Sequence, residues 1–136
     1  MAFNNFQRRG PVDAGIVAAG QATTKNHFIQ RVANNEIKTP GANGAVHGVA
    51  LETQTTAGET VQFADIGAWA LVVTGAAVDA SGGQVRLVSD STGRAVPFAS
   101  GVGAHEIAGF TTFSAAGSGA VIPMCVQPQK IVVSTE

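Results

Sequence analysis

Apolar and polar positions are patterned most regularly between Val46 and Thr74, VHGVALETQTTAGETVQFADIGAWALVVT. Val61 and Phe63 alternate with Gln62 and Ala64, a period of two that turns one set of side chains to a buried face and the other to solvent. Ahead of them, Thr55-Thr56-Ala57-Gly58-Glu59 is small, polar and Gly-containing, as a chain reversal requires. The following run Ala68 to Thr74, AWALVVT, is apolar on both alternating sets, which predicts a strand covered on both sides. Trp69, the sole tryptophan, lies in this run and is expected in the core. The stretch therefore predicts strand, loop, strand, turn, strand.

A paler copy of its first half begins at Ile107. At an offset of 61, Val46 meets Ile107, Gly48 meets Gly109, Val49 meets Phe110, Gly58 meets Gly119, Val61 meets Ile122 and Phe63 meets Met124. Apolar meets apolar and Gly meets Gly without a gap, so residues 46–63 and 107–124 read as a pseudo-duplicated β unit. Two copies are too few for a solenoid.

The rest of the chain breaks into short strands. His27 to Thr39 predicts a hairpin, with Phe28, Gln30 and Val32 on one face, Ile29 and Arg31 on the other, and a turn at Ala33-Asn34-Asn35-Glu36. Residues 40–44 break the pattern again. Gln84 to Ser89 predicts a strand with Val85 and Leu87 inside and Arg86 outside. Asp90-Ser91-Thr92-Gly93 carries the acid-first, Gly-last signature of a turn. Arg94 to Phe98 is a strand that Pro97 confines to a sheet edge, and β-branched Lys130 to Val133 pairs on the sheet. Many short strands with turns between them predict an all-β fold, a small barrel or sandwich.

Residues 1–25 fit none of this, because Gly10, Pro11, Gly15 and Gly20 interrupt any strand or helix pattern. They are expected to form an N-terminal arm outside a single β domain of residues 26–136. Phe3 and Phe6 gain nothing in solvent but contribute about 1.5–3 kcal/mol each when buried on a partner. Arg8 and Arg9 add planar donors, and Pro11 reduces the entropy lost on ordering.

Composition sharpens this. Charged residues are 12% of 136, about half the usual share, so the surface is poor in the charge that keeps a free monomer soluble. Net charge is −1, which gives no global attraction to nucleic acid or an anionic membrane. No apolar run has the length to span a bilayer, no signal-peptide core is seen, and the lone Cys125 excludes an internal disulfide framework. A cytosol-like compartment is expected.

Candidate chemistry is sparse. There is no phosphate-binding loop, and Gly101-Val102-Gly103 lacks the third glycine of a dinucleotide fingerprint. His27, His47 and His105 are far apart, and adjacent His105 and Glu106 point to opposite faces of a strand. Ser114 has no nucleophile-elbow context. No catalytic, cofactor or metal site is expected, and the chain reads as a non-enzyme.

The runs GVALETQTTAGETVQF, VVTGAAV, SDSTGRAVPF and IAGFTTFSAAGSGAVIPMCV together resemble the small capsid cement, or head decoration, proteins of tailed bacteriophages. The resemblance covers roughly residues 28–128 and rests on turn-and-strand signals: Gly48 to Leu51, Ala57-Gly58-Glu59, Ser89 to Val96, and Ala116 to Gly119. It implies a compact β-barrel or β-tulip on the outer surface of the virion capsid, made in the host cytoplasm. The implied partners are the major capsid protein and further copies of the chain, a trimer before a dimer, with no nucleic acid or membrane. The arm residues Phe3, Phe6, Arg8, Arg9 and Pro11 would contact the capsid. The alternatives are a tail, baseplate or fibre component, or a small ligand-binding β module.

Overall fold

A computed structural model of the chain describes residues 10–134. Its strands are β1 Val12–Val17, β2 Phe28–Arg31, β3 Glu36–Lys38, β4 Gly48–Ala50, β5 Thr60–Ala64, β6 Trp69–Val73, β7 Val85–Ser89, β8 Ala95–Pro97, β9 Gly103–Thr111 and β10 Val121–Val133, with a 3-10 turn at Ala33–Asn35. The first five strands close into a barrel in the order β1-β3-β2-β4-β5, and the other five form a curled sheet in the order β6-β10-β9-β7-β8. The all-β architecture expected from the pattern is the one observed. The predicted hairpin is β2–β3, and its turn holds Asn34 and Asn35 at φ 62° and 60°. Asn tolerates this left-handed region better than most side chains.

The limit of the arm at residue 25 is corrected. Residues 12–17 form β1, which pairs antiparallel with β5 from Val12↔Ala64 to Ile16↔Thr60 and parallel with β3 at Val17↔Ile37. Gly15 disguised this strand in the sequence and is also what allows it to close the barrel. A Cβ at Gly15 would lie 2.7 Å from Ile37 Cγ2. Thr23, also placed in the arm by the sequence, is buried and bridges Gln54. The barrel therefore uses residues before 26, and only residues 1–9 remain outside the described part at this end.

The register of the second half repeats that of the first, strand by strand. The β1–β5 pairs Val12↔Ala64 through Ile16↔Thr60 have counterparts in the β6–β10 pairs Trp69↔Cys125 through Val73↔Val121. Phe28↔Val49 and Ile29↔Gly48 correspond to Arg86↔Phe110 and Leu87↔Gly109. Gln30↔Lys38 and Arg31↔Ile37 correspond to Val88↔Val96 and Ser89↔Ala95. Even the parallel seam Val17↔Ile37 has its counterpart, the bridge Thr74↔Ala95. The same backbone plan is thus used twice, with β1–β5 matched by β6–β10. Glycine explains part of it. Gly58 and Gly119 turn at φ 87° and 86°, and a Cβ on Gly48 or Gly109 would collide with the carbonyl of Ala64 or Cys125, which are themselves counterparts.

Two cores result. Val17, Ile29, Ile37, Ala50, Val61 and Phe63 fill the first barrel. Ile122, Met124, Leu87 and Ala95 fill the second unit, in one cluster with Phe28, Val49 and Ala64 from the outer side of the first. β2 is therefore buried on both faces, Phe28 in one core and Ile29 in the other.

The two-sided burial expected for β6 is corrected. Ala70 and Val72 are buried, but Trp69, Leu71 and Val73 are half-buried. Trp69 lies on the outer face of the second sheet, its ring edge-on to Phe110 with centroids 5.5 Å apart. Apolar residues on both sides of β6 reflect an aromatic outer surface, not a second buried layer.

Candidate functional site

Two surface features gather side chains not used by the cores. The first surrounds the entry of the chain into β1. Arg31, from β2, caps one end of the barrel with its guanidinium carbon 4.8 Å from the centroid of Phe63. Its Nη2 lies 2.6 Å from Asp13 Oδ2 and 3.7 Å from Asp65 Oδ2. The Arg31 hydrogen bond, followed by the Ala14 backbone N–H, holds the Asp13 carboxyl below its usual range. His47 Nδ1 accepts the Arg31 backbone N–H at 3.0 Å. Burial, then the Arg31 charge, holds His47 below 6.5, against weaker opposing fields from Glu106 and Asp65.

Beside this ion cluster three apolar residues are exposed. The Pro11 carbonyl accepts the Asp65 N–H at 3.0 Å, which fixes β1 beside the β5–β6 turn. Pro11 is exposed, and Val12 and Ile66 are exposed at 39% and 56%. Of the arm residues proposed from sequence, Pro11 is placed here, while Phe3, Phe6, Arg8 and Arg9 lie outside the described residues.

The second feature is a cleft of about 90 Å³ on the outer face of the second sheet, lined by Gln84, Arg86, Ile107, Gly109, Phe110, Gln127 and Gln129. Arg86 stands on β7 with Gln84 just before it, Gln127 and Gln129 stand on β10, and β9 forms the floor between them. Gly109 lies along the floor, while Phe110, packed against Trp69, closes one end. The β9–β10 ladder slips between Val126 and Gln129, so the glutamines stand at a bulge. Cys125 lies next to Phe110 in register, half-buried, and burial raises its thiol above the usual range. That disfavours the reactive thiolate.

The sequence reading missed this cleft, because glutamines on strands look like ordinary solvent positions. Matching the two halves would have found it. Phe28 is replaced at its counterpart by Arg86, and Asn26 by Gln84.

Among the described residues no group of three or more His, Cys, Asp or Glu is placed to hold a metal ion. Asp90 serves a structural purpose. Burial pushes its carboxyl up, but hydrogen bonds from the Arg94 N–H, the Thr92 N–H and the Thr92 hydroxyl outweigh this and lower it. What both surfaces can do chemically is bind, through apolar area at the first and through amide and guanidinium hydrogen bonds at the second. No family model, no curated protein and no solved structure matches this chain.

Proposed function

We propose that this chain is a structural virion protein that binds the outside of a tailed-phage head and cements neighbouring major capsid subunits. The observation that carries this reading is the apolar collar of Pro11, Val12 and Ile66 at the start of β1. In the sequence, residues 1–9, with Phe3, Phe6, Arg8 and Arg9, precede it through Gly10. A barrel closed by β1 gives such an attachment a rigid anchor. In a chain with 12% charged residues, exposed apolar side chains grouped along the sequence mark a contact region more clearly than in a charge-rich one. Many identical copies turn a modest contact into a large stabilisation of the shell.

Co-sedimentation with expanded empty heads and with compact precursor heads tests this. The protein should saturate the expanded heads and raise their resistance to heat. Phe3→Ala with Phe6→Ala should leave folding unchanged and weaken attachment by about 3 kcal/mol or more. Absence of binding to both head forms overturns the reading.

A further inference from the structure

We propose that the cleft on the second half receives a second copy of this chain, which docks head to tail through its first half. Within one chain the two halves already meet in this asymmetric way. Phe28, Val49 and Ala64, on the outer face of the first half, are 1%, 0% and 0% exposed in the core shared with the second. At the rim of that surface the Phe28 N–H donates to the Gly93 carbonyl at 2.8 Å, and the Val73 N–H donates to the Asn26 carbonyl at 2.9 Å. The first half thus supplies a socket, and the second supplies a plug made of Val73 and the turn before β8.

If the halves met symmetrically, the same outer face of the second half would be buried in the same interface. It is not. The counterparts of Phe28, Val49 and Ala64 are Arg86, Phe110 and Cys125, which are exposed, half-buried and half-buried. With Gln84, the counterpart of Asn26, they border or line the open cleft. Of the plug's counterpart only the turn is uncovered: Ala33–Asn35 is exposed, while Ile16, which corresponds to Val73, pairs with Glu36 inside its own half. Asn35 at φ 60° occupies the place of Gly93 at φ 81°. Each chain therefore carries one vacant socket and one vacant plug, the exposed turn Ala33–Asn35, which are counterparts of surfaces it already joins internally. A contact between unlike surfaces repeats from copy to copy and closes into a ring where the rotation permits.

The side chains of the vacant pair are complementary. Gln84, Arg86, Gln127 and Gln129 have no side-chain hydrogen-bond partner among the described residues. The vacant plug offers Asn34, Asn35 and Glu36 where the internal one has Thr92, Gly93 and Arg94. Amides face amides, and the guanidinium of Arg86 faces a surface bearing the Glu36 carboxylate. A polar socket also lets the free chain stay in solution, where an apolar one would not.

Sedimentation of the full chain, in the absence of heads, tests the proposal, so its failure is distinct from a failure of head binding. A mass above the monomer that rises with concentration is expected. Arg86→Glu and Glu36→Lys should each weaken self-association by about tenfold or more, since like charges then meet. An equimolar mixture of the two variants should restore it, because each then meets the opposite charge on the other. Circular dichroism checks that both variants are folded. Should Glu36→Lys unfold, Gln84→Ala with Gln129→Ala, at exposed positions, should weaken association in its place. A chain that stays monomeric at about 1 mM overturns the proposal, as does an oligomer that none of these substitutions weakens or a mixture no tighter than its components.

Discussion

The first half, β1–β5, and the second, β6–β10, share their strand pairing and differ in what fills and covers it. Inside the first barrel, Val17 and Ala50 stand where the second half has Thr74 and Thr111. Both threonines are fully buried, and both satisfy their hydroxyls locally. Thr74 Oγ1 donates to the Gly117 carbonyl at 2.7 Å and accepts the Ala120 N–H, while Thr111 Oγ1 donates to the Pro123 carbonyl at 2.7 Å. The last bond falls where β9 ends, so the missing N–H of Pro123 costs no ladder bond there. At one end of the first barrel Asp13, Arg31 and Asp65 form an ion cluster. Their counterparts Ala70, Ser89 and Val126 are all buried. That end is open to solvent in the first half and covered in the second. One backbone plan therefore tolerates opposite side-chain chemistry, provided each polar group finds a partner.

The seam shows the same dependence on surroundings. In the first half Ile16 and Val17 pair with β3. In the second, the Val73 N–H goes instead to Asn26 of the first half, and the seam keeps the bridge Thr74↔Ala95. Contact between the halves thus replaces part of the closure.

Three tests can break or sharpen this comparison. The largest effect is expected at the paired glycines. Gly48→Ala and Gly109→Ala each drive a Cβ into a backbone carbonyl, so each should cost about 3 kcal/mol or more in urea unfolding, and by similar amounts. A harmless Gly109→Ala beside a damaging Gly48→Ala would show that the two sheets do not share this geometry. A smaller loss is expected for Thr74→Val, which copies the first half's Val17 into the second. It removes the hydroxyl and strands the Ala120 N–H and the Gly117 carbonyl, a cost of about 1–3 kcal/mol. Unchanged stability would mean that the second interior does not depend on its threonine bonds.

The smallest effect concerns pH. His47 is held below 6.5 in the folded chain, so the unfolded chain binds that proton more readily. The stability this residue contributes is complete above 6.5 and is lost as pH falls from there through the lower folded value. Asn at this position can still accept the Arg31 N–H but cannot be protonated. His47→Asn should therefore flatten the urea midpoint between about pH 5 and 7. A pH dependence identical to that of the parent chain would assign the slope to other groups.

The amino-acid sequence by itself determined the all-β class, the turns at Ala33–Glu36 and Asp90–Gly93, and the offset that places Gly48 with Gly109 and Gly58 with Gly119. Each of these is local: a period of two, a residue that tolerates positive φ, or a glycine where backbones cross. Tertiary structure alone decided three things. β1 became a strand because Gly15 lets it close against Ile37, a requirement set by a residue 22 positions away. Trp69 turned outward because the second sheet's outer face is uncovered where the first half's is not. Arg86 and the glutamines gathered into a cleft because β7, β9 and β10 lie side by side, although their sequence positions are far apart. Burial and adjacency depend on which surfaces meet, and a strand's own alternation does not record its neighbours.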